Sequence, residues 1–222
     1  MGGFPLRHSR IFPRRKNWGA RYRQWLQQQS FEHPADQIVL QEYVDAVCTA
    51  EEQLVRIERA IAEFLPNWHL APIVKALQAL RGVDLVVAVS FVVEIGDIRR
   101  FASPRQLMGY LGLVPEERST GETVRRGSIT KMGNPRIRQL LVESAWTYRF
   151  PPRIGAKKLQ KLDRVTPKIR EIAWKAQSRL SARFRAFAAR GKKTTVICTA
   201  IARELAGFMW AVAMEVQPTP AT

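Results

Sequence analysis

Residues 34–64, PADQIVLQEYVDAVCTAEEQLVRIERAIAEF, decide the fold class. Their apolar residues advance in alternating steps of three and four, through Leu40, Tyr43, Val47, Ala50, Leu54, Ile57, Ile61 and Phe64. That spacing draws one stripe along a helix over roughly three and a half heptads. Glu42, Glu51, Glu52, Arg56 and Arg59 lie off the stripe. Pro34 suits a first helical turn, and Pro66 ends the segment. No strand-like alternation longer than four residues occurs anywhere in the chain. The expectation is an all-α protein: a long coiled-coil-like helix, then a helical domain with a helix–hairpin–helix-like turn and a Gly/Ser/Arg loop. The stripe either pairs with a second copy or packs in an intramolecular bundle, and pairing is favoured.

Downstream, Ala71–Leu80 and Leu85–Ile95 read as helices around the turn Arg81-Gly82-Val83-Asp84. Such a turn can offer backbone N–H groups to a phosphate, but the Asp84 carboxylate opposes that use. Ser103-Pro104 and Asn134-Pro135 each place a capping side chain before an N1 proline, so each starts a helix. Between them lies RSTGETVRRGSITKMGN, residues 118–134, with glycine, hydroxyl and basic residues and no two apolar residues in succession. It is read as a loop, a plausible meeting place for a phosphate backbone through Arg118, Arg125, Arg126 and Lys131. Arg136 and Arg138 stand near the start of the next helix, where cations oppose the macrodipole and a bound anion would offset the cost.

From 149 to 193 there are fifteen Lys or Arg and two acids. Pro167 opens a helix to about Ala189 whose Lys168, Arg170, Lys175, Arg179, Arg183 and Arg185 crowd one surface. A one-signed excess fits phosphate tracking, with Lys168 and Arg179 as candidate contacts. A final apolar helix, Thr194–Val216, is expected to close the core. The four regions are a basic-aromatic arm (1–33), the long helix (34–66), a central domain (67–150) and basic C-terminal helices (151–222). The arm interleaves cations with rings, which suits nucleic acid; rings packing on the rest of the protein suit it equally.

The 222 residues carry a net charge of +17, which points to a polyanionic partner, nucleic acid first. Two distant cysteines, Cys48 and Cys198, fit buried thiols in a reduced cytoplasmic protein. His8, His33 and His69 are scattered, and no Cys/His set has metal-ligand spacing, so no metal site is expected here. No apolar run reaches a membrane span, so no membrane partner is expected.

The order Leu80-Arg81-Gly82-Val83-Asp84, Glu94-Ile95-Gly96-Asp97, Leu107 through Pro115 (LMGYLGLVP), Ser119-Thr120-Gly121, Gly127 through Asn134 (GSITKMGN) and Arg138 through Glu143 (RQLLVE) is similar to one family throughout. Over residues 67–150 the chain resembles the C-terminal domain of the IS110, IS116 and IS902 insertion-sequence transposases.

The resemblance implies a DNA transposase of serine-recombinase type. Relatives pair an N-terminal RuvC-like nuclease domain, whose acidic residues bind divalent metal, with a coiled coil and a serine-bearing domain. They use a bridge RNA beside donor and target DNA. Carried across residue by residue, the family serine falls on Ser119, with Ser128 and Thr130 as fallbacks. DNA, a guide RNA and a second copy through residues 34–66 are the implied partners. No acidic nuclease domain precedes the arm, so a truncated member is expected, without a cofactor of its own; a divalent ion such as Mg2+ would belong to the other domain. A non-catalytic helical nucleic-acid-binding or dimerising module is the alternative.

Overall fold

The computed structural model of the chain describes residues 5, 7–13, 19–120 and 123–216, with side chains described throughout these spans except at 117–120, 123–126 and 157. The described residues form nine α-helices, three short 3-10 turns and one two-stranded antiparallel sheet. The chain divides into two compact units, residues 1–63 and 64–222.

In the first unit, α1 (Ala20–Gln27) precedes α2 (Pro34–Phe64). At 31 residues α2 is about 46 Å long. Its start is capped from outside the helix, by His33 Nδ1 accepting the Ala35 N–H at 3.2 Å. Tyr22 and Leu26 of α1 bury against Leu40, with Phe12, Trp25 and Val44 around them. The arm's described rings therefore pack on α2: Phe12 meets Tyr22 edge-on at 5.1 Å and Trp25 at 5.5 Å. Arg23 clasps Glu51 with two parallel hydrogen bonds of 2.8 and 2.5 Å. Beyond Val44 much of the stripe is uncovered, with Leu54 51% and Ile57 46% exposed. Cys48 is exposed, contrary to the expected buried thiol, because it lies off the stripe; Cys198 is buried.

In the second unit, α3 (Ala71–Leu77), α4 (Leu85–Ile95), α5 (Pro104–Tyr110), α6 (Pro135–Ala145), α7 (Ala156–Leu162) and α8 (Pro167–Ala189) precede α9 (Thr194–Met214). α9 is the centre: it packs against α3, α5, α6 and α8. Ile201, Leu205 and Met209 on it are wholly buried. By length and composition α9 could cross a membrane, and half of that apolar stretch is buried inside the protein. Gly207 faces α5, where a Cβ would lie 2.6 Å from the mobile end of the Met108 side chain, Cε, and 3.7 Å from Pro104 Cβ.

The caps follow the sequence. Ser103 Oγ accepts Gln106 N–H, Asn134 Oδ1 accepts Arg136 N–H, and Thr166 Oγ1 accepts Ile169 N–H, each before an N1 proline. Asp84 caps α4 through the Val87 N–H at 3.0 Å. The Gly82 turn faces inward rather than toward a ligand. Its φ is +77°, and a Cβ would lie 2.5 Å from Ser144 O. The buried Tyr148 hydroxyl donates to Arg81 O at 2.8 Å, and Arg81 Nη1 donates to Pro151 O at 2.9 Å. Lys158 Nζ donates to Gln78 O and Leu80 O, both at 2.7 Å. The turn is thus a junction holding α3, α6 and α7 together.

One departure concerns the stretch read as a loop. β1 (Pro115–Thr120) and β2 (Thr123–Ile129) pair antiparallel, from Pro115↔Ile129 to Thr120↔Thr123. The hairpin carries too few apolar residues to alternate, so periodicity could not reveal it. Backbone pairing holds it, and Thr, Val and Ile supply the strand preference.

Candidate nucleic-acid interface

The hairpin is fixed at its root. Gly112 and Gly133 adopt φ of +64° and +75°. A Cβ on Gly112 would fall 2.1 Å from Met132 O, and one on Gly133 would fall 2.1 Å from Tyr110 O. Only glycine permits both the left-handed backbone and the contact. Across this closure Thr130 N–H donates to Val114 O at 3.0 Å and Lys131 N–H to Gly112 O at 3.1 Å. Arg138 Nη1 then reaches from α6 to Met132 O (2.6 Å), Gly133 O (3.0 Å) and Leu111 O (3.3 Å). Asn134 adds a second tie, with Nδ2 donating to Glu94 Oε2 at 2.8 Å. A rigid root makes the strand ends a positioned platform rather than a solvated tether.

The register is irregular beside the root. Between Pro115↔Ile129 and Glu117↔Arg126, Gly127 and Ser128 oppose Glu116 alone. This is a β-bulge, which bends the bulged strand and increases its twist. Ser119 pairs with Val124 near the far end, about 13 Å beyond the root at ordinary strand rise. Its side chain, and those of Arg118, Arg125 and Arg126, lie outside the described residues. Ser128 is exposed on β2, and Thr130 Oγ1 is buried with no hydrogen-bond partner.

The other candidates separate into two groups. Lys131, Arg136 and Lys168 are exposed and have no ion pair among the described residues. Lys131 has φ +58°, a rare value for a side-chain-bearing residue, set by the tight return into Gly133. Arg138 and Arg179 are engaged within the protein: Arg138 with the three carbonyls, and Arg179 Nε with Glu204 Oε2 at 3.0 Å. Arg183 also pairs with Glu204. These long-range partners could not be read from the local sequence.

Asp97 caps the short turn 98–100 through the Arg99 N–H at 2.9 Å, and Glu94 is taken by Asn134. Among the described residues no three His, Cys, Asp or Glu side chains converge. The side chains of the described residues do not fit a divalent ion.

A groove of about 340 Å3 opens beside the root, between the hairpin and the first turns of α9. Ser128, Thr195, Thr199 and Arg203 supply its polar groups. Sequence reasoning missed the α9 residues. Their four-residue spacing on an otherwise apolar helix was the available signal, since it puts two hydroxyls and a guanidinium on one face.

Fold and site together define an all-α protein that carries a clasped, cation-bearing β-hairpin on a helical core. Residues 74–158 match the model of the family described as transposase, IS116/IS110/IS902 family. It is 60% identical over 219 residues to y4qE of Sinorhizobium fredii, named as a transposase, covering 99% of this chain and 53% of that protein. It is 27% identical over 188 residues to the transposase for insertion sequence element IS1533 of Leptospira borgpetersenii, covering 83% and 54%. A shorter match, 38% over 69 residues, joins it to the IS1111A transposase of Coxiella burnetii, covering 31% and 19%. The chain spans about half the length of the first two of these relatives.

Proposed function

We propose that this chain supplies the hydroxyl-bearing, DNA-binding half of a composite transposase site. The supporting observation is the clasped hairpin: a sequence rich in cations and hydroxyls, held to the core by Gly112, Gly133 and Arg138. Ser119 is the proposed nucleophile. Its Oγ would bond to a DNA phosphorus as the P–O bond of the strand breaks, and the departing deoxyribose oxygen takes up a proton. Arg118, Arg125, Arg126 and Lys131 would steady the charge that develops on the phosphate oxygens. The opposing half, with metal-binding carboxylates and a divalent ion such as Mg2+, would come from an acidic nuclease domain. Arg136 and Lys168 extend the phosphate track in the cytoplasm, and a guide RNA would select the DNA sites. The uncovered Leu54–Phe64 stretch of α2 would join two copies, since helical stripes of this kind seek a partner.

A strand-exchange assay with a full-length family transposase, into which this chain's Ser119→Ala or Ser128→Ala variant is mixed, tests the assignment. Loss with Ser119→Ala and retention with Ser128→Ala is the expected result. Normal exchange with Ser119→Ala sinks it. The second reading, a binding module without chemistry, draws on the same unpaired Lys131, Arg136 and Lys168; it predicts a steep loss of DNA affinity with salt and no effect of Ser119→Ala on exchange.

A further inference from the structure

The groove beside the hairpin root has a composition that the helical core does not need. On α9, Thr195, Val196, Thr199, Ala200 and Arg203 line the groove; Thr195 and Val196 are exposed and the other three are part-buried. Val196 is 56% exposed. Leu113, Pro115 and Ile129, at the hairpin root, line it too. Apolar residues of the hairpin root and of α9 therefore share the groove with the hydroxyls of Ser128 and Thr195. Thr199 Oγ1 donates to Thr195 O at 2.9 Å, so its lone pairs remain for a donor in the groove.

The charge is one-signed. No carboxylate lines the groove among the described residues, and Arg203 enters it without an ion pair. Lys192 and Lys193, both exposed, stand just before the first turn of α9, which has no acidic residue and no side-chain cap. The Glu116 carboxylate comes within 3.7 Å of where a Gly127 Cβ would sit, and it has a partner of its own. At about 340 Å3 the groove falls within the ~300–1,000 Å3 range of small-ligand sites. An apolar lining suits the faces of a base, hydroxyls suit its polar rim, and a guanidinium with nearby lysines suits the attached phosphate.

We propose that this groove is a nucleotide pocket that receives one unstacked base of the DNA strand engaged by the hairpin, with Arg203 on its phosphate. The inference rests on the reading of the chain as a DNA-binding transposase part. An extruded base here would lock the strand's register relative to the clasped β2, so the pocket would position the strand for attack.

The test uses the whole chain and single-stranded oligodeoxythymidine carrying photoreactive 4-thiothymidine, with 4-thiouridine-substituted oligouridine as the RNA arm. Irradiation should join the DNA base to residues of the groove, located by mass spectrometry. Thr199→Phe, which fills the groove, should abolish that cross-link, while overall affinity, carried by phosphate contacts elsewhere, holds within about threefold. Arg203→Gln, which adds no bulk, should weaken binding by about tenfold, the scale of one charge-assisted contact. Circular dichroism of each variant reports its fold. DNA cross-links that map elsewhere, or that persist in Thr199→Phe, overturn the pocket while leaving the DNA-binding reading intact. Cross-linking of the groove by the RNA probe alone also overturns it. A wild-type chain that binds neither probe overturns both readings.

Discussion

Arg138 separates two physical roles that its position near a helix start leaves open. As a phosphate contact, its charge would be the useful property, and Arg138→Lys would keep most of the DNA affinity. As a clasp, its geometry matters: one guanidinium nitrogen bridges Leu111 O, Met132 O and Gly133 O, which belong to the two segments that meet at the hairpin root. A lysine ammonium on a different stem cannot reproduce that arrangement. Arg138→Gln removes hydrogen bonds from a charged donor, each worth about 1.5–3 kcal/mol when buried. The site is only part-buried and water can replace some of the loss, so the net local cost is about 2 kcal/mol. In hydrogen exchange that is roughly 30-fold faster opening. The amides to follow are those of Thr130 and Lys131, which donate to Val114 O and Gly112 O across the root. Amides within α9 should be far less affected. If the Thr130 and Lys131 amides exchange at wild-type rates in Arg138→Gln, the clasp is not what holds the hairpin. If Arg138→Lys matches the wild type in exchange, charge and not geometry is the operative property.

Three further outcomes follow from the same contacts. Tyr148→Phe leaves Arg81 O without the donor it has in a wholly buried site, costing about 1–2 kcal/mol and lowering the melting temperature of the second unit by ~4 °C. Lys158 has its pKa lowered to about 8, chiefly by burial and then by the neighbouring Lys161. Unfolded, the same side chain titrates near its ordinary value of 10.5; between these pH values the unfolded chain binds more protons, so this group should make stability rise with pH over that window, and Lys158→Met should remove the rise in a urea titration series. Leu54→Asp with Ile61→Asp should convert a dimer to a monomer in light scattering, and a wild type that is already monomeric refutes the pairing of α2.

Much of the fold was legible because its signals are local. The 34–64 stripe states its own period, and Ser103-Pro104, Asn134-Pro135 and Thr166-Pro167 carry cap and N1 proline in adjacent residues. The hairpin was not, since its strands carry only Pro115, Val124 and Ile129 as apolar residues and leave no alternation to count. A two-residue gap between Thr120 and Thr123, flanked by strand-favouring residues, was the trace it did leave. Within the candidate site, the free cations Lys131, Arg136 and Lys168 could be named from composition. What could not be seen was that Arg138 and Arg179 already have partners, because Met132, Gly133 and Glu204 reach them only once the chain is folded. The groove was hidden for the same reason: Ser128 and Thr199 are 71 positions apart in the sequence, 199 − 128.

The central place of α9 bears on how the protein emerges from a ribosome. The segment that carries the family resemblance ends at residue 158, yet its apolar faces on α3, α5 and α6 close against residues 194–214. Fifty-six residues, 214 − 158, separate the two ends. At ordinary synthesis rates of about 5–20 residues per second, this segment waits roughly 3–11 s for its partner helix. During that interval Val74, Leu107 and Leu141, all wholly buried in the finished protein, face water or a chaperone. Cutting the chain after residue 158 would make this wait permanent.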